Sequence, residues 1–136
     1  MEERKTFKLQ TGWGKTEDVQ FEMNNYVNNN GMYIGLICPL VEGGYEPYGD
    51  ITVNLGIKAP DYCAYVDINN MPELEKFIAD NNLGEFTGLV QRSGFVEYPL
   101  YMFNVNELRK VCPDGMALYE ANIGRARMPE NKDKLR

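Results

Sequence analysis

The sequence predicts an α+β fold: a five- to seven-stranded, mostly antiparallel sheet with two or three helices packed on one face. Apolar and polar residues alternate with period two through much of the first half of the chain, as they do in half-buried strands. Helix patterns with capping residues begin only at Asn70. Clusters of strands followed by helices favour an α+β fold over a doubly wound one.

The first half of the chain contains five candidate strands, at residues 7–10, 19–23, 32–38, 50–55 and 62–68. The segment 32–38 is apolar on both faces, which suits a central strand. The segment 50–55 has the clearest alternation, with Ile51, Val53 and Leu55 on one face. The glycines and proline of residues 43–50 predict a loop before it.

Helix signals come next. Asn70 can cap a first helix, and Gly84 can end it. Residues 85–91 and 95–103 predict a hairpin, with Pro99 at an edge or a bulge. Asn104 can cap a short second helix, and residues 116–122 suit one or two further turns.

The length of 136 residues is typical of one domain. We expect residues 1–123 to form a single α+β domain and residues 124–136 to form a charged, frayed C-terminal tail. The longest apolar stretch is far shorter than the ~20 residues that span a bilayer. The three cysteines are unclustered, which argues against a disulfide framework. The expected location is therefore the cytoplasm, without membrane attachment.

Two absences restrict the chemistry. The chain has no histidine and only one serine, Ser93, which excludes a Ser-His-Asp triad and any histidine-ligated metal site. The spacing of the cysteines lacks the CxxC pattern of zinc sites. Cys63 lies near Asp61 and Asp67, whose charges disfavour a reactive thiolate. The sequence therefore predicts no cofactor, no metal and no catalytic residue.

The charge is strongly uneven along the chain. The net charge of −6 is the sum of +2 for residues 1–15, −11 for residues 16–122 and +3 for residues 123–136. The acidic body would repel a phosphate backbone, so we expect it not to bind nucleic acid directly. Such acidity either serves solubility or suits a basic protein partner.

Tyrosines interleaved with carboxylates suit the second interpretation as well as an ordinary sheet. Tyrosine joins a large apolar body to a polar tip and is enriched at interfaces, although it is also an ordinary strand residue. The leading hypothesis is a non-enzymatic protein that binds a basic protein surface. The residues predicted to carry this binding are Tyr48, Asp50, Asp61, Tyr65, Asp67, Glu73 and Glu75.

Two alternatives stay open. One is a small enzyme that uses carboxylate, tyrosine or Cys63 chemistry, which requires a concave pocket. The other is a domain that binds a small ligand through residues 45–50. The oligomeric state does not follow from the sequence.

Three segments carry a resemblance to a known family: Tyr48 to Leu55, Asn69 to Ile78 and Gln91 to Tyr101. They resemble an uncharacterised bacterial domain family associated with plasmids and conjugative elements, over about residues 30–120. The resemblance implies no activity and no site residue. It does imply a setting in which small acidic proteins act on other proteins, including as mobile-element inhibitors of host nucleases or DNA-binding proteins.

Overall fold

The computed structural model describes residues 4–10 and 14–124, and this part of the chain contains eight strands and three helices. The strands are β1 Phe7–Gln10, β2 Thr16–Asn25, β3 Met32–Pro39, β4 Tyr45–Asp50, β5 Thr52–Val53, β6 Cys63–Val66, β7 Gly84–Ser93 and β8 Val96–Phe103. The helices are α1 Leu74–Asp80, α2 Val105–Val111 and α3 Pro113–Ile123. The α+β class is confirmed.

The strands form two antiparallel sheets of four strands each, with the orders β1-β2-β3-β4 and β5-β6-β8-β7. The predicted single sheet of five to seven strands is divided at Ile51, which lies between β4 and β5. Its backbone N–H donates to Ile34 in the first sheet, and its carbonyl accepts from Asp67 beyond the second. Ile51 is fully buried. The alternating pattern at 50–55 therefore does not form one strand, because the chain passes there from one sheet to the other.

The segment predicted as a loop at residues 43–50 contains the edge strand β4. Proline has no backbone N–H to donate. On an edge strand it can stand at a position that faces solvent, so no hydrogen bond between strands is lost. The register of β4 against β3 shifts between Leu36 and Ile37: Leu36 pairs with Gly49, and Ile37 pairs with Pro47. Tyr48 is the extra residue of this β-bulge.

The helix signals are confirmed in part. The side chain of Asn104 accepts a hydrogen bond from the backbone N–H of Glu107, so Asn104 caps α2 as predicted. The first helix begins later than expected, at Leu74, and Asn70 donates to Asp67 instead of capping it. Residues 67–73 thereby form a separate turn ahead of α1.

One apolar core joins the two sheets and the helices. The hairpin of β7 and β8 is confirmed, and Pro99 pairs with Val90 at a second register shift. Within the described residues no helix is long and apolar enough to cross a membrane. The predicted C-terminal tail lies almost entirely outside the described residues, since the structure ends at Gly124.

Candidate interaction site

An open cleft of about 1110 Å³ lies where the first sheet meets the turn before α1. Strands β2 and β4 supply one part of its wall, and residues 67–73 supply the other. Its lining residues are Lys15, Glu17, Tyr48, Gly49, Asp50, Asp67, Asn70, Met71, Pro72 and Glu73. Four of the seven residues predicted from the sequence are among them: Tyr48, Asp50, Asp67 and Glu73.

Tyr48 owes its place in the cleft to the bulge in β4. An extra residue in a strand re-aims its side chain relative to the regular alternation. The Tyr48 ring packs against the core, while the residue remains partly exposed. Burial raises the pKa of the Tyr48 hydroxyl, and the negative charges of Glu73 and Glu17 raise it further. Tyr48 is therefore a neutral aromatic group held among carboxylates.

Asp50 and Asp67 are fixed by hydrogen bonds from neighbouring groups. The hydroxyl of Tyr33 donates to Asp50 at 2.7 Å. Asp67 is only 8% exposed, and it accepts from the Asn70 side chain at 2.8 Å. Both donors are neutral groups, and these hydrogen bonds restrict the orientation of the two carboxylates.

Glycine at position 49 keeps the cleft open to Met71. A Cβ at Gly49 would lie 3.0 Å from the Met71 Cε atom and 3.3 Å from its sulfur. Any larger residue would therefore displace the methionine, which is itself 9% exposed. Met71 supplies an apolar contact surface in a lining that otherwise consists largely of polar groups.

The other three predicted residues lie away from the cleft. Asp61 forms an ion pair with Lys58 at 3.8 Å. Tyr65 lies on β6, beside a small hollow of about 20 Å³. Glu75 accepts a hydrogen bond from the Tyr101 hydroxyl at 2.6 Å. The structure thus divides the predicted set into one group of four and three separated residues.

Sequence reasoning missed other lining residues, of which Glu17 matters most for charge. Glu17 lies on β2, about thirty residues before Tyr48, and only the pairing of β2, β3 and β4 brings the two together. No local signal in the sequence marks Glu17. Asn70 was identified, but as a helix cap and not as a cleft residue.

The thiols do not form a reactive centre. All three cysteines are free, and Cys63 and Cys112 are buried. Burial raises the pKa of each thiol; Asp61 raises that of Cys63 further, and the pKa of Cys112 reaches about 11. Across residues 4–10 and 14–124, no three Asp, Glu or Cys side chains come together in a way that could hold a metal ion.

Comparison with known proteins identifies the family but no function. No curated protein and no solved structure matches the chain. One family model matches residues 20–123, which is most of the chain and includes β3 to α3. The chain therefore belongs to the family described as a domain of unknown function (DUF4313).

Proposed function

We propose that the cleft binds a basic segment of a protein partner, with lysine or arginine side chains placed against its carboxylates. The observation that supports this proposal is the lining itself. It carries four carboxylates, from Glu17, Asp50, Asp67 and Glu73, and one lysine, Lys15, for a net charge of −3.

Electrostatics would supply attraction and specificity. A cation about 4 Å from one carboxylate gains roughly 4 kcal/mol near a protein surface, before desolvation and side-chain ordering reduce the net value to about 1 kcal/mol. Several carboxylates converging on one cleft add such terms. Complementary charge also accelerates encounter and excludes acidic competitors. Binding of this kind weakens as salt rises, because the Debye length shortens.

Tyr48 would anchor the partner. Its ring offers an apolar surface and a π face, and a guanidinium or ammonium group over such a face gains roughly 0.5–2 kcal/mol. Glu17 and Glu73 line the same cleft as Tyr48 and raise the pKa of its hydroxyl, so a cation attracted by these carboxylates enters the cleft that holds the ring. Tyrosine and arginine pairs are typical of the residues that dominate interface energies.

The open shape of the cleft favours a protein segment over a small ligand. Small-molecule pockets usually occupy about 300–1,000 Å³ and enclose most of the ligand. This cleft has about 1110 Å³ and is open to solvent, so it would accommodate several side chains of an extended segment. Cysteine chemistry gains no support either, because all three thiols have a raised pKa.

We further propose a class of partner and a role: the partner is a host nuclease or DNA-binding protein, and the chain is its inhibitor from a mobile element. The support for this is the acidic body together with the resemblance to a plasmid-associated family. A nucleic-acid-binding surface is basic, so it is complementary to an acidic cleft.

Affinity capture from a lysate of the source organism tests the proposal when it compares three versions of the chain. These are the wild type, the cleft variant Glu17→Gln with Glu73→Gln, and the control Glu42→Gln with Glu85→Gln. Both variants change the net charge equally, and Glu42 and Glu85 are exposed residues outside the cleft.

We expect a basic protein to be retained by the wild type and the control, released as salt rises, and bound about 10-fold or more weakly by the cleft variant. The measured affinity of the purified pair then gives the loss quantitatively. A partner that the cleft variant retains as well as the control does would contradict the proposal.

A further inference from the structure

The β7–β8 hairpin carries an unusual share of the exposed apolar side chains of the described residues. Phe86 is 50% exposed, Leu89 63%, Val90 51% and Phe95 100%. We refer to these four residues as the hairpin patch. Single exposed apolar residues are normal on a soluble monomer, whereas four of them on one hairpin favour an interaction surface.

Phe86 and Val90 lie on the side of the second sheet that faces the core. Phe86 pairs with Tyr101 and Val90 with Pro99, and paired residues point to the same side of the sheet. Tyr101 is buried and donates to Glu75 of α1, so the helix covers the sheet as far as this residue. The Phe86 ring lies 5.9 Å from the Tyr101 ring and is half exposed, so it extends this apolar side to the solvent at the sheet edge.

β7 is also an edge strand, because it pairs with β8 alone in the sheet order. An edge strand presents unpaired backbone N–H and C=O groups that another strand can extend. A bulge interrupts the strand at Thr87 to Leu89, with Gly88 at a φ of +93° that favours glycine. The Thr87 hydroxyl supplies hydrogen bonds to backbone groups at the bulge: it donates to the Leu100 carbonyl at 2.9 Å and accepts from the Leu89 N–H at 3.1 Å.

A regular segment of the edge strand follows the bulge. From Val90 to Ser93 the register against β8 is continuous. The bulge also leaves Leu89 exposed beside this segment, so apolar surface and free backbone groups lie side by side.

Charge on the hairpin is low compared with the rest of the body. Residues 84–103 contain only Glu85, Arg92 and Glu97 as charged residues, a net charge of −1, whereas residues 16–122 sum to −11. Arg92 and Glu97 also form an ion pair at 3.5 Å. The hairpins of two copies would therefore repel each other only weakly.

We propose that the hairpin patch is a self-association surface, on which a second copy of the chain packs with β7 antiparallel to β7. A two-fold axis would then continue the sheet across the interface and bring the two apolar patches together. This inference is independent of the proposed acidic cleft, whose residues lie on other elements.

The exposed area is sufficient for such a contact. The exposed fractions in the patch sum to between two and three side chains, which amounts to roughly 400 Å² of apolar surface per copy if all of it is covered, taking the aromatic value of ~150 Å² for each. Homodimer interfaces are about 65% apolar, so this corresponds to ~1,200 Å² in total, the lower end of specific interfaces. Interfaces at this lower end of the size range are typical of weak association, so we expect a dimer that forms only at high protein concentration.

Sedimentation velocity of the full chain, from about 1 to 200 μM, tests the proposal. The wild type should shift from monomer to dimer across this range. Val90→Lys should weaken association at least 10-fold, because it places a charge within the apolar patch, at the end of the pairing segment. Val41→Lys is the matched control, since Val41 is fully exposed outside the hairpin, and it should dimerise like the wild type.

Phe95→Ser provides a second variant that does not depend on strand integrity, because Phe95 is fully exposed at the hairpin turn. It should also weaken the dimer while the melting temperature at monomer concentrations stays unchanged. A wild type that remains monomeric at about 200 μM would overturn the proposal and leave the patch to a partner of different sequence. Dimerisation of Val90→Lys and Phe95→Ser at wild-type affinity would overturn it as well.

Discussion

Replacement of Gly115 by alanine sets two effects of opposite sign against each other. Gly115 lies in the first turn of α3, where alanine would improve helix propensity by about 1 kcal/mol. A Cβ at this position would, however, lie 2.7 Å from the sulfur of Cys112 and 2.9 Å from the Cβ of Met23 on β2. Both distances are shorter than van der Waals contact.

The overlap should outweigh the gain in propensity. Cys112 is fully buried and Met23 is 4% exposed, so neither can move into solvent. The Met23 Cβ is bonded directly to the backbone of β2, so a change of rotamer does not move it. The Met23 backbone nitrogen lies 3.3 Å from the added atom. Overpacking of a core costs about 1–3 kcal/mol, and separating α3 from β2 would cost more. We expect a net loss of about 1–2 kcal/mol, with a melting temperature lower by about 5 °C.

Urea unfolding followed by circular dichroism measures this loss directly, since the free energy of unfolding of a domain this size is accessible by linear extrapolation. Cys112→Ala removes the nearer of the two atoms, so Gly115→Ala should cost less in that background than in the wild type. A Gly115→Ala protein as stable as the wild type, or more stable, would refute the close packing of α3 on β2.

Three further predictions concern charge and ionisation. Arg109→Met should destabilise the fold by about 2 kcal/mol in urea, because Arg109 donates at 2.6 Å to Glu120, which is 7% exposed; exposed Lys110→Met should have no effect. Burial and Glu75 raise the pKa of the Tyr101 hydroxyl, so above about pH 10 the unfolded chain loses this proton while the native state keeps it, and the stability should fall. Tyr101→Phe should reduce that fall, and an unchanged pH dependence of stability in this variant would contradict the assignment. Cys112, with a pKa of about 11, should react with iodoacetamide only slowly at pH 8, and mass spectrometry that finds it modified first would contradict this.

Local rules predicted those parts of the fold that depend on neighbours in sequence. The cap at Asn104 follows from side-chain chemistry within one turn, and the structure confirms it. The doubly apolar segment at 32–38 became β3, which is flanked on both sides as expected. The break at Ile51 could not be predicted, because alternation shows which residues face a core but not which sheet they join.

The candidate site, like the fold, was predictable from the sequence only in part. Alternation places Tyr65 and Asp67 on one face only if the strand continues, but β6 ends at Val66 and Asp67 turns toward the cleft. The bulge that aims Tyr48 depends on the register of β4 against β3, which is not a property of the residues near Tyr48. Residue types therefore indicated an acidic, tyrosine-bearing candidate site, but which of these residues line the cleft depends on long-range strand pairing.

The two proposed surfaces respond to salt in opposite directions, which separates them experimentally. Binding in the cleft depends on attraction between its net charge of −3 and a basic segment, so screening weakens it. Association through the hairpin patch is apolar and is opposed by repulsion between chains of net charge −6, so the same screening strengthens it. Between about 50 and 300 mM salt, partner affinity should therefore fall while the dimer fraction rises. A parallel fall in both would mean that the hairpin associates through charge, against the apolar packing inferred from its exposed side chains.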